Sequence, residues 1–481
     1  METNYGTLAS VLSCLCVASV VVVFIVSGHY SQSIKFSGAE PGDSVATVEL
    51  QTKVTASHEV RAVFSSLSFQ PPAFYVNRLR NHTLIRKIKK RTRYRGQEEG
   101  LARARASIRK AFSNLNRSSE IDGEDNNEVP TGDVYRNPGA FYQSYVEMEK
   151  RLKVYVYEEG EVPMIHDGPC KDIYTIEGRF IHEIEHGDGK FRTRDAERAH
   201  VYFMPFSVTW MVKYLYKPLT YNLTPLRQFV SDYVSVISAK YPFWNTTQGA
   251  DHFMLACHDW GPHASQGHPV LYNTSIRVLC NANTSEGFNP QKDVSLPEIH
   301  LYGGNVNPKL LSPPPPNSPR PFLAFFAGGL HGPIRPILLQ HWMGRDTDLR
   351  VYEYLPKDMD YYSLMLQSKY CLCPSGHEVA SPRIVEAIYS ECVPVILSDH
   401  YVLPFSDVLR WEAFSVKVEA SEIPRLKEVL KAISEEKYTR LKEGVRAVRR
   451  HFELNQPAKR FDVFHMILHS VWLRRINLKL G

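Results

Sequence analysis

The sequence predicts an α/β protein built from two Rossmann-like domains in series, preceded by an N-terminal transmembrane helix and a stem. Three observations predict it. Apolar strands and amphipathic helices alternate from Leu152 onward, the pattern of a parallel sheet covered on both faces. The alternation stops at Asn305–Pro321, a stretch with seven prolines, four of them consecutive, and a second α/β series begins at once after it. Within that second series, Tyr370–Asp399 reads as strand, tight turn, capped helix and strand. At 481 residues the chain is too long for a single core.

The elements follow in order. Leu8–Val26 is an uncharged run of 19 residues, long enough to cross a bilayer as a helix. Glu2 and the absence of Lys or Arg before it favour an uncleaved anchor over a signal peptide. Residues 28–133 form the stem, with a helix expected around Glu98–Asn114 and an acidic, Asn-rich link at Ile121–Asp133. A helix with aromatic anchors, Phe141–Lys150, leads into the first domain (134–305). Strands are expected at 152–157, 200–205 and 251–256, and helices near 174–185 and 224–239. Residues 306–321 are the linker. The second domain (322–481) carries strands at 322–327, 350–354, 369–373, 393–397 and 414–418. Its closing helices include a basic C-terminal helix able to pack back across the hinge.

The turn Pro374-Ser375-Gly376 ends a strand, and Ser381-Pro382 opens the next helix. Open α/β sheets bind anionic ligands at that place, beyond the carboxyl ends of the strands. Arg383 and Glu386 share one face of this helix. An arginine for a diphosphate beside a carboxylate for ribose hydroxyls suits a nucleotide-sugar site. The blander alternative is an i,i+3 surface pair.

Five blocks in order then carry a resemblance: LKVYVYE (Leu152–Glu158), HVYFMPFS (His200–Ser207), ADHFMLACHDWGPH (Ala250–His263), FLAFFAGGLHGPIR (Phe322–Arg335) and the Tyr370–Asp399 segment, with Glu378 and Glu386 spaced as in many two-domain glycosyltransferases. The chain resembles the plant exostosin-like glycosyltransferases. The resemblance implies a GT-B-like architecture of two facing domains. It also implies a type II Golgi membrane protein with a lumenal catalytic part, and inverting transfer of a sugar without a covalent intermediate.

Glycosyl transfer requires a stabilised diphosphate, a deprotonated acceptor hydroxyl and in-line positioning. For the diphosphate the chain offers Arg383 with the Ser375-Gly376 turn on one loop, and Gly328, Gly329 and Arg335 on another; Glu378 and Glu386 are further expected donor-binding residues. Two arginines at a helix start make a metal ion unnecessary, so no cofactor or metal is expected. Asp346-Thr347-Asp348 is a DxD, the metal signature of the other glycosyltransferase architecture, and reads as a solvated loop. The general base should come from the first domain. Asp251 and His252, which match the family's Asp-His pair, and Asp259 form its richest polar cluster, with His166 and Glu185 as further candidates.

Six sequons follow the anchor, at Asn81, Asn116, Asn222, Asn245, Asn273 and Asn283, and favour a lumenal body. Of the eight cysteines, Cys257 and Cys280 flank a loop-rich stretch and are the expected disulfide. Cys371 and Cys373 read as core packing, and Cys170 has no obvious mate. No zinc-ligand spacing and no G-x-S-x-G occurs, which disfavours a structural zinc and a serine hydrolase. Asn81–Lys110 holds eleven Lys/Arg against two Glu in a chain of net charge +6, so the basic character belongs to the stem. The anchor and sequons argue against nucleic acid as its partner; a solvated face, or contact with an acidic polysaccharide or protein, remains. The expected substrates are a nucleotide sugar, most simply a UDP-sugar, and a glycan acceptor. The expected location is the Golgi membrane, with a transferase partner subunit possible. The alternative function is a catalytically silent partner that stabilises an active transferase.

Overall fold

The computed structural model describes residues 96–113, 129–312, 314–315 and 318–478. The anchor at Leu8–Val26 and the sequons Asn81 and Asn116 lie outside these residues. Among the described residues no helix is long and apolar enough to cross a membrane.

Two five-stranded sheets, both wholly parallel, form the body. The first runs in simple sequence order: β1 (Val154–Val156), β2 (Val201–Phe203), β3 (His252–Ala256), β4 (Ile276–Leu279) and β5 (Val294–Ser295). The second contains β6 (Phe322–Ala327), β7 (Leu349–Tyr352), β8 (Ser368–Pro374), β9 (Val393–Leu397) and β10 (Val416–Lys417), in spatial order β7-β6-β8-β9-β10. The two halves make the fold GT-B-like. Strands such as β3 and β9 are buried at every position because helices cover both faces. The helix Thr224–Lys240 shows how: Leu226, Val230, Tyr233, Val234 and Ile237 recur at helical spacing and form its buried stripe.

Strand order decides where ligands can enter. In the second sheet the order reverses between β6 and β8, the switch point at which open α/β sheets offer a ligand crevice at the carboxyl ends of the strands. The first sheet has no such reversal.

The halves are tied together behind this crevice. The helix Val463–Asn477, buried on nearly every side, crosses from the second half and packs against the helix Pro138–Arg151, β4 and β5. Tyr145 accepts a hydrogen bond from the Phe461 amide at 2.9 Å, and Ser144 meets His469 Nε2 at 2.9 Å. The stem helix, residues 96–113, docks here too: Leu101 and Ala104 are buried, Glu98 pairs with Arg475 at 2.5 Å, and Arg105 donates to the Ile476 carbonyl. Part of the expected stem therefore belongs to the folded body. The expected extended linker is likewise interrupted, by a short helix at Pro308–Leu311 and by Arg320. Arg320 is buried and donates to the carbonyls of Met365, Ser368 and Ser390.

Two disulfides are present. Cys257–Cys280 joins the carboxyl ends of β3 and β4. Cys371–Cys392 joins β8 to the turn before β9, correcting the expectation that Cys371 serves only as core packing; Cys373 stays free and buried. The Cys257–Cys280 bridge spans 23 residues. Replacing both its cysteines by serine is expected to cost about 3 kcal/mol by the loop-entropy argument. Denaturant unfolding of the double variant checks this; an unchanged midpoint would show that the bridge does not restrain the unfolded chain.

A candidate donor site at the switch point

The crevice is assembled from two loops of the second half. After β6 the chain passes through Gly328–Pro333 into the helix Ile334–Trp342; after β8 it passes through Ser375–Pro382 into the helix Arg383–Tyr389. The loops touch through glycine. Gly332 has φ +65°, and a Cβ there would overlap the Gly376 carbonyl. Gly328 and Gly376 make room for guanidinium groups: a Cβ on Gly328 would collide with Arg383 Nη2, and one on Gly376 would sit 2.9 Å from Arg335 Nη2.

Arg335 and Arg383 therefore converge. Arg383 Nη2 donates to the Ala327 carbonyl at 3.0 Å and Nη1 to Ser381 Oγ at 3.3 Å, while its guanidinium lies 5.1 Å from the Phe326 ring centre. Arg335 Nη1 donates to the Gly329 carbonyl at 3.3 Å. Arg335 is buried and Arg383 half-buried, and neither has an ion-pair partner among the described residues. Each also has a buried Nε with no acceptor. Burial first, then the neighbouring Arg383, pulls the Arg335 pKa down to about 10. Two adjacent cations with unspent donors, whose carboxylate neighbours Glu298 and Glu386 make no direct ion pair with them among the described residues, are costly unless an anion joins them. His331 and His377, with ring centres 5.2 Å apart, add polar groups beside them.

The expected backbone cradle is corrected. The Ser375 amide bonds to the Leu397 carbonyl, the Gly376 amide to the Glu378 carbonyl and the Gly328 amide to the Tyr352 carbonyl. These N–H groups are spent within the fold, so Gly328 and Gly376 serve as space for arginines rather than as donors. The seven-residue helix Arg383–Tyr389 is also short, which leaves the side chains to carry the charge.

Glu386 is buried beneath Arg383. Its oxygens accept from Tyr361 Oη at 3.0 Å and Tyr362 Oη at 3.3 Å, and burial outweighs Arg383 and both tyrosines in raising its pKa. A ribose hydroxyl would share this carboxylate with the tyrosines. Glu378 points elsewhere, across to the first half: Asn281 Nδ2 donates to Glu378 Oε2 at 2.7 Å and to Glu286 Oε2 at 3.0 Å. Burial, then the facing Glu286, raises the Glu378 pKa. A raised folded-state pKa means the folded protein holds this proton more tightly than the unfolded chain. The contribution to stability is fully present below the ordinary value near 4.5 and is lost as pH rises through the folded-state value. The melting temperature of Glu378→Gln relative to the native protein is therefore expected to climb as pH rises. A difference independent of pH would contradict a raised Glu378 pKa.

The facing wall comes from the ends of β3, β4 and β5. Asp259 is half-buried and has a pKa raised chiefly by burial; its neighbours Tyr174 and His377 oppose the shift. Asp251 and His252 are corrected. They sit at the amino end of β3, away from the crevice, in a closed buried relay: Thr247 Oγ1 donates to Asp251, Asp251 holds His252 Nδ1 at 2.8 Å, and His252 Nε2 meets Tyr157 Oη at 2.8 Å. Both ring nitrogens are engaged, leaving none for a substrate. His166 and Glu185 pair with each other at 2.7 Å. Asp346 and Asp348, the DxD, both pair with Lys427 before the amino end of β7.

The acid that sequence reasoning missed is Glu298, just beyond β5. It is buried, and no hydrogen bond to its carboxylate is found among the described residues. Burial pushes its pKa up to about 8, and its electrostatic neighbours are Asp259 from its own half and Arg383, Glu386 and Arg335 from the other. It thus lies between the two walls. Its signal was Leu296-Pro297-Glu298 closing an apolar run, obscured because β5 is only two residues long. The preceding loop is fixed by a buried pair, Arg277 donating through Nε and Nη2 to both oxygens of Asp293 at 3.1 and 2.5 Å.

Of the expected glycosylation sites, Asn222, Asn245 and Asn273 are exposed. Asn283 is not suited: it is buried, its Nδ2 donates to Glu286, and its Oδ1 accepts from the Ser285 amide, so an attached glycan would break the turn.

The Exostosin GT47 domain matches residues 148–433. The Arabidopsis thaliana protein named probable glycosyltransferase At5g25310 is 57% identical over 473 residues, 97% of each chain. The Arabidopsis thaliana probable beta-1,4-xylosyltransferase IRX10 is 28% identical over 346 residues, 67% of this chain and 82% of that one. A solved structure of Anabaena Alr3699/HepE in complex with UDP and glucose aligns with a TM-score of 0.32 at 10% identity, over 66% of this chain and 97% of that one. The chain belongs to the exostosin GT47 family and is a plant-type, exostosin-like glycosyltransferase.

Proposed function

We propose that the protein transfers a sugar from a UDP-sugar to a cell-wall-type glycan in the Golgi lumen, by a single inverting displacement and without a metal ion. The observation that carries this reading is the pair Arg335 and Arg383, unpaired and converging at the switch point of the second sheet. Two guanidinium groups match the charge of a leaving diphosphate, and being fixed in place they need no rearrangement as that charge develops. Glu298 faces them from the other half and takes the proton of the attacking hydroxyl, with Asp259 beside it. Names among the relatives include a xylosyltransferase and a probable glucuronosyltransferase from Oryza sativa, which supports a nucleotide-sugar donor while leaving the sugar to be chosen by experiment. The lumenal placement rests on the apolar run Leu8–Val26, the exposed sequons and the two disulfides.

The test is UDP release by the purified protein from a panel of UDP- and GDP-sugars, with EDTA present. Release from one donor that survives EDTA supports the proposal. No release from any donor, with or without a glycan acceptor, would favour a silent partner protein.

A further inference from the structure

A line of aromatic rings leads out of the crevice on the first half. Tyr174, an electrostatic neighbour of Asp259, lies 4.8 Å from the His258 ring; His258 lies 5.4 Å from Trp260, and Trp260 lies 4.7 Å from Tyr216. Tyr216 Oη accepts from the Tyr221 amide at 3.1 Å. None of the five aromatic groups is fully covered, and Tyr221 is 80% exposed. Tyr221 also holds a left-handed backbone with φ +53°, a conformation unfavourable for a tyrosine. The Asp259 carboxylate stands at the inner end of this line and the exposed Tyr221 at the outer end. Aromatic faces with a polar rim are the surfaces on which sugar rings lay their C–H faces.

We propose that the ledge Trp260–Tyr216–Tyr221 is the acceptor track, holding successive sugars of a glycan chain whose terminal hydroxyl reaches into the crevice past Asp259. This deepens the glycosyltransferase reading and rests on it for the direction of the chain, but binding to the ledge is measurable without turnover. The experiment is a titration of intrinsic tryptophan fluorescence with xylohexaose, cellohexaose, galactohexaose and hexagalacturonate, and with the disaccharide of each. The protein is enzymatically deglycosylated, so that a glycan on Asn222, next to Tyr221, does not occupy the ledge. At least one hexasaccharide should bind saturably and more tightly than its disaccharide. Tyr216→Ala should weaken that binding about ten-fold, the scale of one aromatic contact. Tyr216→Phe, which keeps the ring and loses only the hydroxyl, should retain it. No binding by any hexasaccharide, an unweakened Tyr216→Ala, or equal loss in the Ala and Phe variants would each overturn the proposal. Absence of UDP release in a protein that still binds the hexasaccharide would instead count against the transferase reading alone.

Discussion

Arg383→Ala is expected to lower the rate of UDP release roughly 10²–10³-fold, the usual loss when one fixed donor to a developing oxyanion is removed. The expectation rests on how little else Arg383 does. It makes two weak-to-ordinary side-chain hydrogen bonds, to Ala327 and Ser381, and no ion pair among the described residues. Its electrostatic influence reaches Arg335, Glu298 and Glu386, so it sits at the centre of the charged site. Arg383→Lys keeps the charge but not the planar fork and should recover only part of the rate. Steady-state UDP release decides it, with the melting temperature as a check on folding. A loss under ten-fold in a well-folded Arg383→Ala protein would remove the diphosphate from this site.

Glu298→Gln should slow sugar transfer by roughly 10²–10⁴-fold, the range for loss of a general base. The substitution keeps the shape of the side chain and removes only its ability to accept a proton. The pH profile adds a sign. A base works when ionised, and burial has pushed this one up to about 8, so the rate should rise with pH until about 8 and then level off. A bound diphosphate offsets the positive charge of Arg383 and Arg335, the two groups that hold this pKa down, so the limb should move higher at saturating donor. Glu298→Gln should be slow and lack the limb. A limb that persists in the variant would assign the proton to another group, with Asp259 next in position.

How much of this was legible in the sequence depended on the length of each element. β6, β8 and β9 are apolar runs, and β6 and β8 end in glycine or proline turns, so the strands and the placement of Arg335 and Arg383 could be read directly. β4 and β5 were not anticipated; β5 is two residues long, and Glu298 went unnoticed with it. Asp251 and His252 show a different limit. The sequence located the strand, but only the packing of Tyr157 and Thr247 revealed that its amino end is closed. Cys371 and Cys392 lie 21 residues apart on different elements, and their pairing follows from strand order. Asn283 satisfies the sequon rule yet is consumed as a turn cap, because its side chain suits both roles equally.

The most direct measurement is calorimetric titration of UDP and UMP into the native protein and into Arg335→Ala and Arg383→Ala, all in EDTA. If the two arginines hold the diphosphate, UDP should bind the native protein at least ten-fold more tightly than UMP, and each variant should lose most of that difference while keeping its affinity for UMP. Equal binding of UDP and UMP by the native protein, or a UDP preference that survives both substitutions, would contradict the account.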